Sequence, residues 1–258
     1  MFNQEQSVQS PTSLSSPMDN EGASPPGRGV GKGRRRSAFW RMVVVDDCHY
    51  GRMGLVSALN GTPWGGRKLR VTGVKDLGAM HVLRATVGVF DESRRLECLV
   101  VRLPADPQAA LSTLLQLGAP GLSMSLTAHL VVLSALPPNV VLRVLSRIGV
   151  KVWVRVVDDR LPLAALCQAV CAQGELPEMG TMAWSGQLLA NLGVPQLSVK
   201  ERGVLWQCLQ MVSVEVLARR QKMSSKTLYT QRQGAVHKLG AAHLKALLKQ
   251  FRVLPGNV

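Results

Sequence analysis

Between Gln196 and Val258, eleven Lys and Arg stand against two acidic residues, Glu201 and Glu215, which places +9 of the chain's +15 in under a quarter of its length. Cations at that density do one kind of chemistry well. They displace the counterions condensed on a polyphosphate, and that release drives association with nucleic acid. Other chemistries lack their residues. The five cysteines (Cys48, Cys98, Cys167, Cys171 and Cys208) are odd in number and scattered, and no CxxC pair or His/Cys cluster has zinc-ligand spacing. Cys167 and Cys171, four apart in an apolar helical pattern, suit buried thiols. After the first strand-like run the chain reads DDCHYGRMG, with neither the G-x-G-x-x-G nor the G-x-x-x-x-G-K-[ST] phosphate loop. Cys48 and His49 adjoin there, but neighbours in an extended segment point to opposite sides, so they make no catalytic pair. No enzymatic activity, metal or cofactor is expected.

Something rigid must hold the basic residues. From Leu197 to Phe251 apolar residues recur at three- and four-residue spacing: Val204, Leu205 and Leu209; Val216 and Leu217; Leu228, Val236 and Leu239; Leu244, Leu247 and Leu248. Ser198 and Ser213 fall at N-cap positions, Ser224-Ser225 opens a third helix, and Gly240 stands where a left-handed residue would close it. Two short helices parted by Gln221-Lys222-Met223, the second opened by serine, read as a helix-turn-helix.

These residues resemble the DNA-binding domain of the LuxR/NarL/FixJ family of bacterial transcription regulators. Leu197, Ser198 and Glu201 match the family's opening leucine, Ser/Thr and acidic residue; Leu217-Ala218 its scaffold-helix pair; Ser224-Ser225-Lys226-Thr227 its S-x-K-T; Lys238-Leu239-Gly240 its closing KLG. Thr230-Gln231-Arg232 replaces the family's VHR, and with Gln233 following it is similar to the branch of the Rcs-type capsule regulators. The resemblance implies four helices, the third entering the major groove and the fourth supplying a dimer contact. It implies that Lys226, Thr227, Tyr229, Thr230 and Arg232 line the groove face, with Gln231 a candidate base reader. Lys238 and Arg220, nearer helix ends, would hold phosphates. The implied partners are double-stranded DNA, a second copy or a related regulator in a homodimer or heterodimer, and RNA polymerase.

From Ala38 to about Leu176 apolar strand-like runs (41–47, 68–74, 97–103, 128–135 and 150–156) alternate with helical ones (51–60, 76–85, 107–117, 139–148 and 161–171). That alternation implies a parallel sheet covered on both faces, and five such units make a flavodoxin-like, doubly wound α/β domain. This half resembles a response-regulator receiver domain. Asp46-Asp47 matches the acidic pair after strand one, Ser134 the Ser/Thr after strand four, and Arg155 stands for the lysine after strand five. The phosphoacceptor's place at the end of strand three is held by Arg102, and neither Asp91 nor Asp106 is at the right distance from that strand end. Arginine stays protonated and only donates, so it is neither nucleophile nor metal ligand. The resemblance thus implies a receiver-like domain that is not phosphorylated in the usual way. The Arg102 guanidinium is expected against Asp46 and Asp47, in place of the missing cation.

Residues 1–37, rich in Ser, Pro, Gly and Gln, end in the cluster Arg34-Arg35-Arg36 and read as a disordered tail without a signal-peptide core. The expected division is tail 1–37, receiver-like domain 38–175, linker 176–195 with one short helix from Ser185 to Leu192, and helix-turn-helix domain 196–258. No apolar run approaches the ~18 uncharged residues that span a membrane, and unpaired cysteines fit a reducing cytoplasm. The function expected is that of a cytoplasmic, sequence-specific DNA-binding transcription regulator acting without aspartyl phosphorylation. The alternative is an auxiliary protein that pairs with a related response regulator and does not read DNA alone.

Overall fold

The computed structural model describes residues 39–60, 62, 68–80, 96–119, 126–172, 183–187 and 195–252, with backbone only at 126–128 and 183–187. The expected tail (1–37), Asp91 and the second half of the 76–85 helix lie outside the described residues; Leu77–Met80 are helical.

Strands β1 (Phe39–Val45), β2 (Lys68–Val74), β3 (Leu96–Arg102), β4 (Leu126–Leu133), β5 (Trp153–Val157) and β6 (Ala183–Gln187) form one sheet in the order β2-β1-β3-β4-β5-β6. The first five run parallel, and their order 2-1-3-4-5 is that of the doubly wound domain expected. Period-two alternation sorts the central strands onto two faces. Met42, Val44, Cys98, Val100, Val131 and Leu133 pack with α1 (His49–Asn60) and α4 (Leu163–Cys171). Val43, Val45, Leu99, Val101, Leu130 and Val132 pack with α2 (Pro107–Leu117) and α3 (Pro138–Arg147). Because both faces are covered, these strands are unbroken apolar runs. Edge strand β2 instead alternates exposed Lys68 and Arg70 with buried Leu69 and Val71, cations that discourage pairing with another chain.

Strand β6 corrects the helix expected at Ser185–Leu192. Residues 183–187 are extended and pair antiparallel with β5 from Trp153↔Gln187 to Val157↔Ala183; the remainder of that stretch lies outside the described residues. Gly186 disfavours a helix there, and pairing satisfies a backbone edge that β5 would otherwise expose.

Four helices follow: α5 (Val199–Leu209), α6 (Val214–Gln221), α7 (Ser225–Lys238) and α8 (Leu244–Lys249). The caps fall where the sequence put them. Ser198 and Glu201 form a reciprocal capping box on α5. The Ser213 hydroxyl accepts from Val216 N–H and the Ser224 hydroxyl from Thr227 N–H. Gly240 takes φ 82°, the left-handed turn after α7.

The helical region rests on α2 and α3. Leu205, Leu209, Val236, Leu239, Leu247 and Phe251 share one apolar cluster with Leu111, Leu114, Val141 and Val144. Polar contacts fix the seat. The Gln210 amide donates to Ser112 Oγ (2.9 Å), the Gln108 amide to the Leu209 carbonyl, Arg202 to the Gly118 carbonyl and Arg143 to Gln250. The Leu197 N–H donates to the Arg147 carbonyl at 2.8 Å.

Candidate nucleic-acid interface and carboxylate cleft

Helix α6 ends on Lys222 in the left-handed region (φ 51°, ψ 43°), and Met223 N–H returns to the Ala218 carbonyl at 3.0 Å. That closure turns the chain so that Ser224 caps α7. Val204, Val214, Leu217, Ala218 and Leu228 form the small core that fixes α7 across α6. The inner side of α7 is Leu228, Ala235 and Val236. By helical spacing the opposite side is Lys226, Tyr229, Thr230, Gln233 and His237, and all five are exposed. The helical region seats on α2 and α3 through α5, α8 and the inner residues of α7, so this outer stripe stays open.

The expected contacts divide on this geometry. Lys226 and Thr230 stand on the open stripe, the Thr230 hydroxyl donating back to the Lys226 carbonyl at 3.0 Å. Thr227 is exposed at the first turn, with its hydroxyl 2.7 Å from that of Ser224. Tyr229 is 43% exposed. Arg220 is exposed on α6, beside Arg219. Gln231 and Arg232 are half-buried on the flank, and the Arg232 guanidinium lies 4.8 Å over the Tyr229 ring. Lys238 turns away from the stripe: its ammonium donates to Glu201 Oε2 at 2.7 Å and to the Gln196 carbonyl at 3.1 Å. Partial burial pushes the Glu201 carboxyl up, but Lys238 and the Ser198 backbone outweigh it and hold the group below the usual carboxylate range. Gln233 and His237 were missed among the stripe residues. Counting seven and eleven positions on from Lys226 would have found them.

The second site lies at the carboxyl ends of the parallel strands. Asp46, just past β1, is fully buried. Its Oδ1 accepts from Cys48 N–H (2.9 Å) and its Oδ2 from Arg102 Nη1 (3.1 Å), while Arg52 donates to its carbonyl. Arg102 closes β3 and also lies 3.9 Å from Asp159, whose carboxyl burial pushes up while Arg102 opposes it. Asp47 is exposed, so Arg102 sits against one member of the expected pair, with Asp159 as its second carboxylate. Gly51 makes room for the pair: a Cβ there would stand 2.9 Å from Asp46 Oδ2 and 3.0 Å from Arg102 Nη1.

Ser134 is buried just past β4, and its hydroxyl accepts from Leu136 N–H at 3.0 Å. With Asp158 and Arg160 it lines a cleft of about 140 Å³. Arg155 is not brought to this cleft. It lies inside β5, 4% exposed, and donates to the Ala169 and Ala172 carbonyls (2.8 and 2.7 Å) at the carboxyl end of α4, where helix polarity favours a cation. The position immediately after β5 is Asp158, which Arg160 grips at 2.7 Å. His49 Nδ1 lies 3.2 Å from Arg52 Nη2 rather than serving Cys48. Among the described residues no group of three His, Cys, Asp or Glu could hold a metal ion, and no helix is long and apolar enough to cross a membrane.

No family model matches the chain, and no curated protein matches it. Solved structures similar to it include RcsB from Salmonella enterica serovar Typhimurium bound to promoter rprA in the presence of phosphomimetic BeF3−, at 18% identity over 83% of this chain and 99% of that one, TM-score 0.44. A two-component response regulator RcsB–DNA complex matches at 19% identity over 83% and 98%, TM-score 0.44. The response regulator ChrA of a heme-sensing two-component system matches at 16% identity over 83% and 97%, TM-score 0.32. The fold stands on its own strand order rather than on these likenesses.

Proposed function

We propose that the chain is a cytoplasmic, sequence-specific DNA-binding transcription regulator whose sheet domain acts without aspartyl phosphorylation. The observation that carries the reading is the open stripe of Lys226, Tyr229, Thr230 and Gln233 on the second helix of a capped, strongly basic helix-turn-helix. A helix fits a major groove, and the hydroxyl and ammonium groups of the stripe can reach base edges and phosphates, while the Gln233 amide nitrogen is held by the Ala242 carbonyl. Arg220 with Arg219 at the end of α6 supplies further phosphate contacts. The division we adopt is a sheet domain at 38–175, a linking segment at 176–195 that lends β6 to the sheet, and a helical domain at 196–258.

Arg102 beside Asp46 supports the second half of the proposal. A guanidinium occupies the place where a receiver would need a carboxylate nucleophile, and it neutralises the acidic residue that would bind the metal. On DNA, a dimer would set two α7 helices one turn of the duplex apart, roughly 34 Å. A partner-dependent reading has one observation in its favour: Tyr50, Met53 and Leu163 on α1 and α4 are apolar and more than half exposed.

The test is selection of fragmented genomic DNA by the purified full chain at moderate and higher salt, beside Lys226→Ala/Thr230→Ala. Recovery of a few sites by wild type alone at higher salt supports a self-sufficient regulator. Equal, salt-labile recovery of unspecific DNA by both proteins transfers sequence reading to a partner. Addition of beryllium fluoride with magnesium is expected to leave the wild-type sites and affinity unchanged.

A further inference from the structure

The Tyr229 side chain is held at both ends, unusual for an exposed aromatic residue. Its hydroxyl donates to Glu215 Oε1 on α6 through a long hydrogen bond of 3.3 Å, and the Arg232 guanidinium stacks on its ring at 4.8 Å. Arg232 is itself half-buried, and burial pushes the Cys208 thiol of α5 up while the Arg232 charge opposes it. Residues 229 and 232 are three apart, so both side chains lie over one turn of α7. The ring is thereby fixed between two helices while 43% of its residue surface stays open.

We propose that Tyr229 is a sequence-reading residue, acting as a hydrogen-bond acceptor toward a base bearing an exocyclic amine, and that Arg232 and Glu215 position it rather than touching DNA. The proposal rests on the DNA-binding reading above and deepens it. The chemistry follows from the hydroxyl's single hydrogen. While Glu215 holds that hydrogen, the phenol oxygen can present only lone pairs to a groove. In the major groove adenine N6 and cytosine N4 donate, whereas guanine O6 and thymine O4 accept. A tyrosine held in this way selects adenine or cytosine at one position and rejects guanine and thymine. Arg232 supplies the second constraint. A guanidinium on an aromatic face favours one ring orientation, so the ring enters the groove already ordered, and its flank position draws the cation away from the phosphates.

Base reading and phosphate contact leave different signatures, because a lost phosphate contact lowers the salt slope of binding by about 0.9 while a lost base contact leaves it unchanged. Random-sequence selection followed by salt titration on the best site separates them, using the full-length wild type, Tyr229→Phe, Glu215→Ala, Arg232→Lys, Arg232→Met and Lys226→Ala. Wild type is expected to show one position preferring adenine or cytosine by roughly tenfold. Tyr229→Phe and both Arg232 variants flatten that position with the salt slope intact. Glu215→Ala binds all sites more tightly and admits guanine and thymine there, because the freed hydroxyl can now donate. Lys226→Ala lowers the slope and leaves the preference.

Arg232→Lys keeps the proposal testable if the methionine variant folds poorly, since it retains charge but loses the planar stack. A slope lowered by Arg232→Met but kept by Arg232→Lys, with base preference untouched in both, makes Arg232 a phosphate contact and overturns the inference alone. A Tyr229→Phe profile identical to wild type does the same. Absence of any selected sequence, with Lys226→Ala indistinguishable from wild type, overturns the DNA-binding reading and the inference together.

Discussion

Replacing Lys238 by methionine distinguishes a clamp inside the helical region from a contact to DNA. Its ammonium meets the Glu201 carboxylate at 2.7 Å, with the side chains 29% and 14% exposed, and also caps the Gln196 carbonyl. Exposed pairs are worth ~0–1 kcal/mol and breaking a buried one costs ~3–5, so this half-buried pair with its extra hydrogen bond should cost about 2 kcal/mol. In a chain of this size that lowers the melting temperature by about 4–8 °C. The loss has a pH signature. The Glu201 carboxyl is held below its usual range when folded, so its contribution is complete above the unfolded carboxylate value and fades as pH falls through the folded one. The gap between wild type and Lys238→Met is therefore widest near neutrality and closes in acid, in urea titrations run from pH 7 down toward pH 4. Salt titration of DNA binding supplies the opposing outcome. An unchanged urea midpoint with a salt slope reduced by about 0.9 would falsify the clamp and return Lys238 to the phosphates.

Three further perturbations bear on the cleft and the turns. Arg102→Met strands a fully buried Asp46 carboxylate and should cost about 3–5 kcal/mol, much of it recovered in Asp46→Asn/Arg102→Met; urea unfolding of both variants measures it, and an additive double variant would mean the two groups are not coupled. Gly51→Ala drives a methyl to 2.9 Å from Asp46 Oδ2, so α1 or the ion pair must move, at a cost of about 1–3 kcal/mol in the same assay; a neutral result would mean the helix start yields freely. Met211 is 81% exposed at φ 59°, and Met211→Gly should stabilise by roughly 0.5–1 kcal/mol, read as a rise in melting temperature.

What the sequence made legible was whatever depends on local rules. Serine caps announced α5, α6 and α7 because a side-chain oxygen must meet the first amides of a helix, and the apolar runs announced buried parallel strands. Long-range geometry was harder to read. Asp159 reaches Arg102 only because β3 and β5 end at the same edge of the sheet, a fact invisible in a string that separates them by more than fifty positions. Arg155 looked like an end-of-strand cation because β5 was expected to stop at 156; it runs from Trp153 to Val157, placing Arg155 mid-strand and aiming it at α4. Lys238 and Arg232 matched motif positions, yet motif matching cannot show that one charge is spent on Glu201 and another on an aromatic ring.

The cleft and the seat of the helical region share one piece of chain. Arg102 ends β3, Leu103 enters the core, and Asp106 caps α2 by accepting from Ala109 N–H at 2.7 Å. Helix α2 then carries Gln108 and Ser112, which hold the end of α5 and the turn after it. A switch needs an element with two arrangements of similar free energy. Here the connection is pinned at one end by a carboxylate that cannot be left unpaired, and at the other by hydrogen bonds between helix ends and side chains. Both constraints favour the same arrangement, in which α5, α8 and the inner side of α7 face the sheet domain and the outer stripe of α7 faces outward. On the proposed function, the sheet domain therefore acts as a fixed mount for the reading helix. Control then falls on what can vary without moving that mount: the amount of protein, the choice of partner, and the salt and sequence of the DNA it meets.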